Sequence, residues 1–282
     1  YVWQTVPGGR LIKYRTVNEG GGTTDHDNEY VYWQFIAGAT VDGHLTGTLN
    51  IAVTDYDTTG PAPDLTVINT ASELPWQALI DSGVRITTIN FNGGVKLVNP
   101  QNWFKNYTYL TTFSGQGIDF SGVGNTYKAK NTGTDTNSDL SIEGFLMGCE
   151  RLTTVTGVDT WLTSDHVKSL KNLFAGDILL DTIDGIRQWQ VDNIISMEGL
   201  FQSARSIDDL TFLLNWKVGN VKNFDNMFND CTSLTTLEDI KNWDTHSATS
   251  MRGMFASLPS NPSSLSNVNL NSWDVSSVTA FD

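Results

Sequence analysis

The four histidines, His26, His44, His166 and His246, are the side chains best suited to proton transfer or metal binding near neutral pH, and they are scattered. No two of them sit at metal-ligand spacing. A Gly-x-Ser-x-Gly elbow, a P-loop and a dinucleotide fingerprint are all missing. Acids are plentiful, but nothing marks any two as an acid–base pair. No catalytic residue and no metal ligand is therefore expected, and the chain reads as a non-enzyme.

Calcium was weighed because Asp/Asn-rich loops are its usual hosts. Asp135-Thr-Asn137-Ser-Asp139 opens like an EF-hand loop, then places Leu140 where Gly is needed and Leu146 where the bidentate Glu belongs. Asp25 to Glu29 and Asp55-Tyr-Asp57 read as acidic turns, and Asn106-Tyr-Thr108 fits a glycosylation sequon. No cofactor is expected, with calcium the one left open. Recognition is the chemistry that remains. Short hydroxyls, amides and carboxylates recur between apolar positions, and Thr154, Thr156, Asp181, Asp184, Asp208, Thr211, Glu238 and Asn269 are the candidate ligand-binding residues. Such groups suit hydrogen bonds to sugar hydroxyls or basic peptides. The plainer account of the same face is solvation.

What would position them is a repeat. Trp189, Trp216 and Trp243 are spaced by 27 residues, as are Phe174, Phe201, Phe228 and Phe255. Cys149-Glu-Arg-Leu-Thr-Thr-Val155 matches Cys231-Thr-Ser-Leu-Thr-Thr-Leu237, and Trp103-Phe104 with Tyr109 to Phe113 resembles a degenerate unit. In Val221-Lys-Asn-Phe224-Asp-Asn-Met227-Phe228 the apolar residues fall at i, i+3, i+6 and i+7, the pattern of one helical face. Leu234-Thr-Thr-Leu237-Glu-Asp-Ile240 reads as a short strand. The expected fold is α/β, a leucine-rich-repeat-like solenoid with a short strand plus a short helix per ~27-residue unit. It spans 61–282, is regular from about 144, and carries an insertion at about 121–138. Residues 1–60, with β-rich runs Tyr30–Ile36 and Leu45–Val53, are read as a small β-rich N-terminal cap. Cys149 and Cys231 lie three units apart, about 14 Å at ~4.8 Å per strand, too far for a disulfide. Two free, buried thiols are expected.

The charge limits partners. Thirty-one acidic against 17 basic residues give −14, which repels nucleic-acid phosphates and anionic lipid headgroups. No apolar run approaches the ~20 residues that cross a bilayer, so no membrane insertion is expected. Tyr1 opens into polar sequence and Phe281-Asp282 falls inside a repeat, so the chain is expected to be a segment of something longer.

The pattern of Trp243 to Phe255, begun again at Trp273-Asp-Val-Ser-Ser-Val-Thr-Ala-Phe281, resembles the surface-protein repeat of BspA-like leucine-rich-repeat proteins of lactobacilli and other host-associated bacteria. The resemblance covers 144–282 well and 61–140 weakly. It implies a secreted protein attached to the cell wall, extracellular and at the cell surface. It further implies adhesion to host mucin, glycans or extracellular-matrix protein. A structural stalk displaying another domain is the alternative, and a monomer is expected. Carboxylates approach their reference pKa values of about 4 in acid, so adhesion favoured at acidic pH is a further expectation.

Overall fold

The computed structural model describes residues 14–17, 23–26, 33–51, 74, 76–97, 100–121, 123, 140–163, 165–266 and 268–281. Asp135–Asp139, Asp27–Glu29, Asp55, Asp57, Asn267 and most of the 121–138 insertion lie outside these residues.

A hairpin opens the main sheet. β3 (Trp33–Val41) and β4 (His44–Ile51) are antiparallel, following the separate pair β1 (Tyr14–Val17) and β2 (Thr23–His26). Asp42 and Gly43 close it, both at positive φ (50° and 77°), which is what a two-residue hairpin turn of this hand demands. Helix α1 (Gln77–Asp81) then leads into β5 (Arg85–Phe91), parallel to β4. β6 (Val95–Lys96) and β8 (Ile118–Asp119) form a two-stranded parallel sheet. β7 (Thr112–Ser114) and β9 (Thr154–Thr156) extend the main sheet, whose order is β3-β4-β5-β7-β9. Leu49, Ile51, Ile89, Phe91, Phe113 and Val155 point from it into one continuous core.

The α/β expectation of a strand plus a helix per unit is overturned. Among the described residues α1 is the only α-helix, and it precedes the regular repeats. After β9 the described residues of the units form no strand either. Short 3-10 turns at Asp184–Gln188 and Thr211–Leu213 take its place. The segments with helical periodicity are chains of tight turns. Asn102 and Asn106, Gly144 and Gly148, Asn172 and Gly176, Gly199 and Ser203, and Asn226 and Asp230 all have positive φ. A left-handed residue every four positions ends a helix before it can propagate.

Stacking takes over the hydrogen bonding that a helix would supply. Leu170, Asn172, Phe174 and Gly176 donate their N–H groups to the carbonyls of Ser196, Glu198, Leu200 and Gln202 in the next coil. Leu173 and Ala175, between them, donate three residues back within their own coil. Single parallel bridges link Ser141, Ser169, Ser196, Asn223, Ser250 and Ala280 in series. Asn102, Phe104 and Asn106 bond likewise to Glu143, Phe145 and Met147, so the degenerate upstream coil stacks directly on the regular ones.

Two aromatic columns run through the stack. Phe174, Phe201, Phe228 and Phe255 lie 5.7–5.9 Å apart with planes within 12° of parallel. Trp161, Trp189 and Trp216 follow at 6.0 Å. Each such pair contributes about 0.5–1.5 kcal/mol beyond its burial. The indoles also clamp coils together, since Trp189, Trp216 and Trp273 Nε1 donate to the carbonyls of Val158, Ile186 and Ile240. Cys149 and Cys231 are free and buried. No helix among the described residues is long and apolar enough to cross a membrane.

Candidate functional site

The solvent face of the main sheet carries two polar rows. Thr48, Thr88, Thr112 and Thr154 are paired in register across four strands, as are Asn50, Asn90, Ser114 and Thr156. Parallel strands ~4.8 Å apart set the spacing between columns, and the two-residue strand repeat sets the gap between rows. The inward partners Leu49, Ile89, Phe113 and Val155 fix which side chains point outward.

Each of three Thr-Thr pairs divides its work. The hydroxyls of Thr87, Thr111 and Thr153 donate to the carbonyls of Gly47, Thr87 and Thr111, stitching one coil to its neighbour. The hydroxyls beside them, on Thr88, Thr112 and Thr154, make no side-chain hydrogen bond to protein among the described residues. Thr48, Ser114 and Thr156 are equally free, while Asn90 donates to Asn50 across 3.1 Å. The sheet thus presents six unengaged hydroxyls in a fixed grid.

All eight sequence-predicted residues are exposed. Only Thr154 and Thr156 stand on a strand. Asp184 begins a 3-10 turn, and Thr211 donates to Asp209 Oδ1 at 2.8 Å. Glu238 accepts from Lys241 at 2.6 Å, and Asn269 accepts the Asn271 N–H. Asp208 lends its carbonyl to the N–H of Thr235. With the unit lengths of 28 and 27 set by the bridges, Thr156, Asp184, Thr211 and Glu238 share one register position, and Asp181 shares that of Thr153. The face therefore changes character along its length, neutral at the sheet and acidic beyond it.

Sequence reasoning missed a cationic cleft beside the neutral end. Its volume is about 300 Å³, and His44, Arg85, Tyr107 and Tyr109 are among its lining residues. The guanidiniums of Arg85 and Arg151 lie 4.2 and 4.7 Å from the centre of the Tyr109 ring. Arg85, Tyr109 and Arg151 each stand three residues before the paired Thr88, Thr112 and Thr154, so this second repeating row was present in the sequence.

Two further clusters bear on chemistry. Asp244 Oδ1 lies 2.8 Å from His246 Nδ1, and His246 Nε2 lies 3.0 Å from Ser247 Oγ. That is the order of a nucleophile, base and orienting carboxylate. All three sit on a solvent-facing turn, outside both the cationic cleft and the apolar cleft at Phe255 and Trp273. Hydrogen bonds from His246 hold the Asp244 carboxyl below the usual carboxylate range.

Inside the stack, Asp177 is fully buried, accepts the Cys149 N–H at 2.8 Å through Oδ1, and leaves Oδ2 without a partner. Burial pushes its carboxyl well above the ordinary range, only partly offset by that N–H. Burial, then Asp177, pushes the Cys149 thiol up as well. Among the described residues no group of three His, Cys, Asp or Glu side chains is placed to hold a metal ion.

A family profile described as "Mycoplasma protein of unknown function, DUF285" matches residues 141–268, less than half of the 282. The match opens at Ser141, where the series of single parallel bridges begins. No curated protein and no solved structure matches the chain.

Proposed function

We propose that this chain is an extracellular adhesin at a bacterial cell surface, binding host mucin, glycan or extracellular-matrix components through the polar face of its main sheet. The observation that carries the reading is the grid of six hydroxyls with no protein partner, held on strands whose other side is core. Rigid, pre-placed hydroxyls lose little entropy on binding and exchange hydrogen bonds readily with sugar hydroxyls. The acidic continuation of the face, with Asp181, Asp184, Asp208 and Glu238 exposed, opposes approach to sialylated or sulfated polymers at neutral pH. Adhesion is accordingly strengthened in acid. The net charge of −14 argues against nucleic acid or anionic lipid as partner.

The test is binding of the purified chain to immobilised mucin and matrix proteins at pH 4 and pH 7. Saturable binding, stronger at pH 4 and reduced by the paired change Thr88→Val with Thr112→Val, is the expected result. Absence of binding at both values overturns the reading. A structural spacer is the second reading, favoured by the phenylalanine column that runs unbroken from Phe174 to Phe255.

A further inference from the structure

The cleft beside Tyr109 is, we propose, a binding site for an anionic saccharide group, a carboxylate or a sulfate ester. The assignment rests on the glycan-adhesin reading for the source of the ligand; its own basis is the Arg85 guanidinium in the cleft wall, held against the Tyr109 ring. In a chain carrying −14, Arg85 packs on the Tyr109 ring inside the cleft, and Arg151 packs on the same ring outside the cleft's lining. Their charges are barely neutralised. Arg151 makes no ion pair among the described residues. Arg85 has one ion-pair partner there, Asp42, at 3.7 Å on a side chain 84% exposed, and the same guanidinium donates to the Val41 carbonyl at 3.3 Å. Such exposed contacts contribute little.

The Arg85 side chain is itself only 16% exposed, so water competes weakly for it, and a ligand anion there gains a charge-assisted hydrogen bond. Asp42 already shows the chemistry, because an exposed turn carboxylate rests against the same guanidinium. Opposite, His44 Nδ1 lies 3.0 Å from the Gly83 carbonyl. A carbonyl can only accept, so Nδ1 carries the proton of that bond and Nε2 is left for a ligand. Tyr109 is not a stacking platform here; its ring positions both arginines.

The cleft also lies at the right end of the face. Arg85, Tyr109 and Arg151 precede Thr88, Thr112 and Thr154 by one short step along the same coils. A glycan whose neutral hydroxyls lie on the threonine rows would bring an acidic substituent to Arg85. The acidic half of the face repels that substituent, which fixes the direction in which the chain is read.

The experiment titrates the purified protein with N-acetylneuraminate, glucuronate, glucose 6-sulfate and, as the neutral control, glucose, following Tyr and Arg resonances by NMR. Saturable binding of at least one anion, absent for glucose, is expected. Preference between the carboxylate and sulfate arms identifies the source. Arg85→Gln, which removes the charge, and Arg85→Lys, which keeps the charge but loses the fork, each weaken binding by about tenfold. Anions that fail to bind, or that bind unchanged in both Arg85 variants, overturn the assignment even where mucin binding persists. Loss of all mucin binding in the unaltered chain overturns the adhesin reading instead, while the small-anion titration still decides the cleft.

Discussion

Gly199→Ala tests the stacking at a position where both backbone and contact can be weighed. Gly199 has φ +60°, and a Cβ built there overlaps Asn172 Oδ1 in the preceding coil, with Asn172 Cγ and Gln202 Oε1 each at 3.3 Å. A left-handed alanine costs about 1–2 kcal/mol, reduced by a few tenths because alanine narrows the unfolded ensemble. Forcing Asn172 aside in a close-packed stack adds about 1–3 kcal/mol. The expected destabilisation is about 2–4 kcal/mol, read from urea unfolding midpoints at constant slope. Asn172 itself sits at φ +54°, so Asn172→Gly preserves the backbone and removes the obstruction. In that background Gly199→Ala should cost only the backbone share, about 1 kcal/mol. Gly43→Ala is the external control, since φ is +77° and a Cβ there meets nothing within 4 Å. An equal cost for Gly199→Ala with and without Asn172 would refute the packing argument.

Three other outcomes are expected. Trp216→Phe should destabilise more than Trp243→Phe by about 1 kcal/mol, because Trp216 Nε1 donates to the Ile186 carbonyl at 2.9 Å whereas Trp243 Nε1 is buried without a partner; paired thermal melts decide it. Burial raises the Asp177 carboxyl in the folded state, so its contribution to stability is fully present below its unfolded pKa of about 4 and is lost as pH rises through the folded value. Asp177→Asn, which keeps the acceptor for the Cys149 N–H, should therefore gain on the wild type between pH 4 and pH 7; a gap that stays constant in urea titrations would count against it. Burial pushes the Cys231 thiol up to about 12, so neither cysteine should react with a thiol reagent in the native state, and both should react in denaturant.

The repeat length, the aromatic columns and the free thiols were legible because each follows from residue identity at constant spacing. The helix was not. Apolar residues at i, i+3, i+6 and i+7 describe one face of a helix and equally the inward residues of successive tight turns. The arbiter was present in Asn172 and Gly176, and in Gly199 and Ser203, where residue types tolerant of positive φ recur four apart. The hairpin was likewise announced by Asp42-Gly43 and went unread. At the site, Thr154 and Thr156 were placed on the polar face, yet spacing alone cannot tell a stitching hydroxyl from a free one. Thr153 and Thr154 are adjacent and of one type, and only the carbonyl of Thr111 separates their roles. The arginine row escaped because its three members lie in coils of unequal length, 24 and 42 residues apart.

The left-handed position nearest the start of each turn segment alternates in kind, with Asn102, Gly144, Asn172, Gly199, Asn226 and Gly253 in order. Each asparagine amide reaches into the room its following glycine leaves. The array thus has a parity, and its true period is two coils. Removing or duplicating one coil of 27 residues would set amide against amide or leave two vacancies facing each other. Removing or duplicating two would keep each asparagine facing a glycine. Length variants of this chain should tolerate change in steps of 54 residues and resist it in steps of 27.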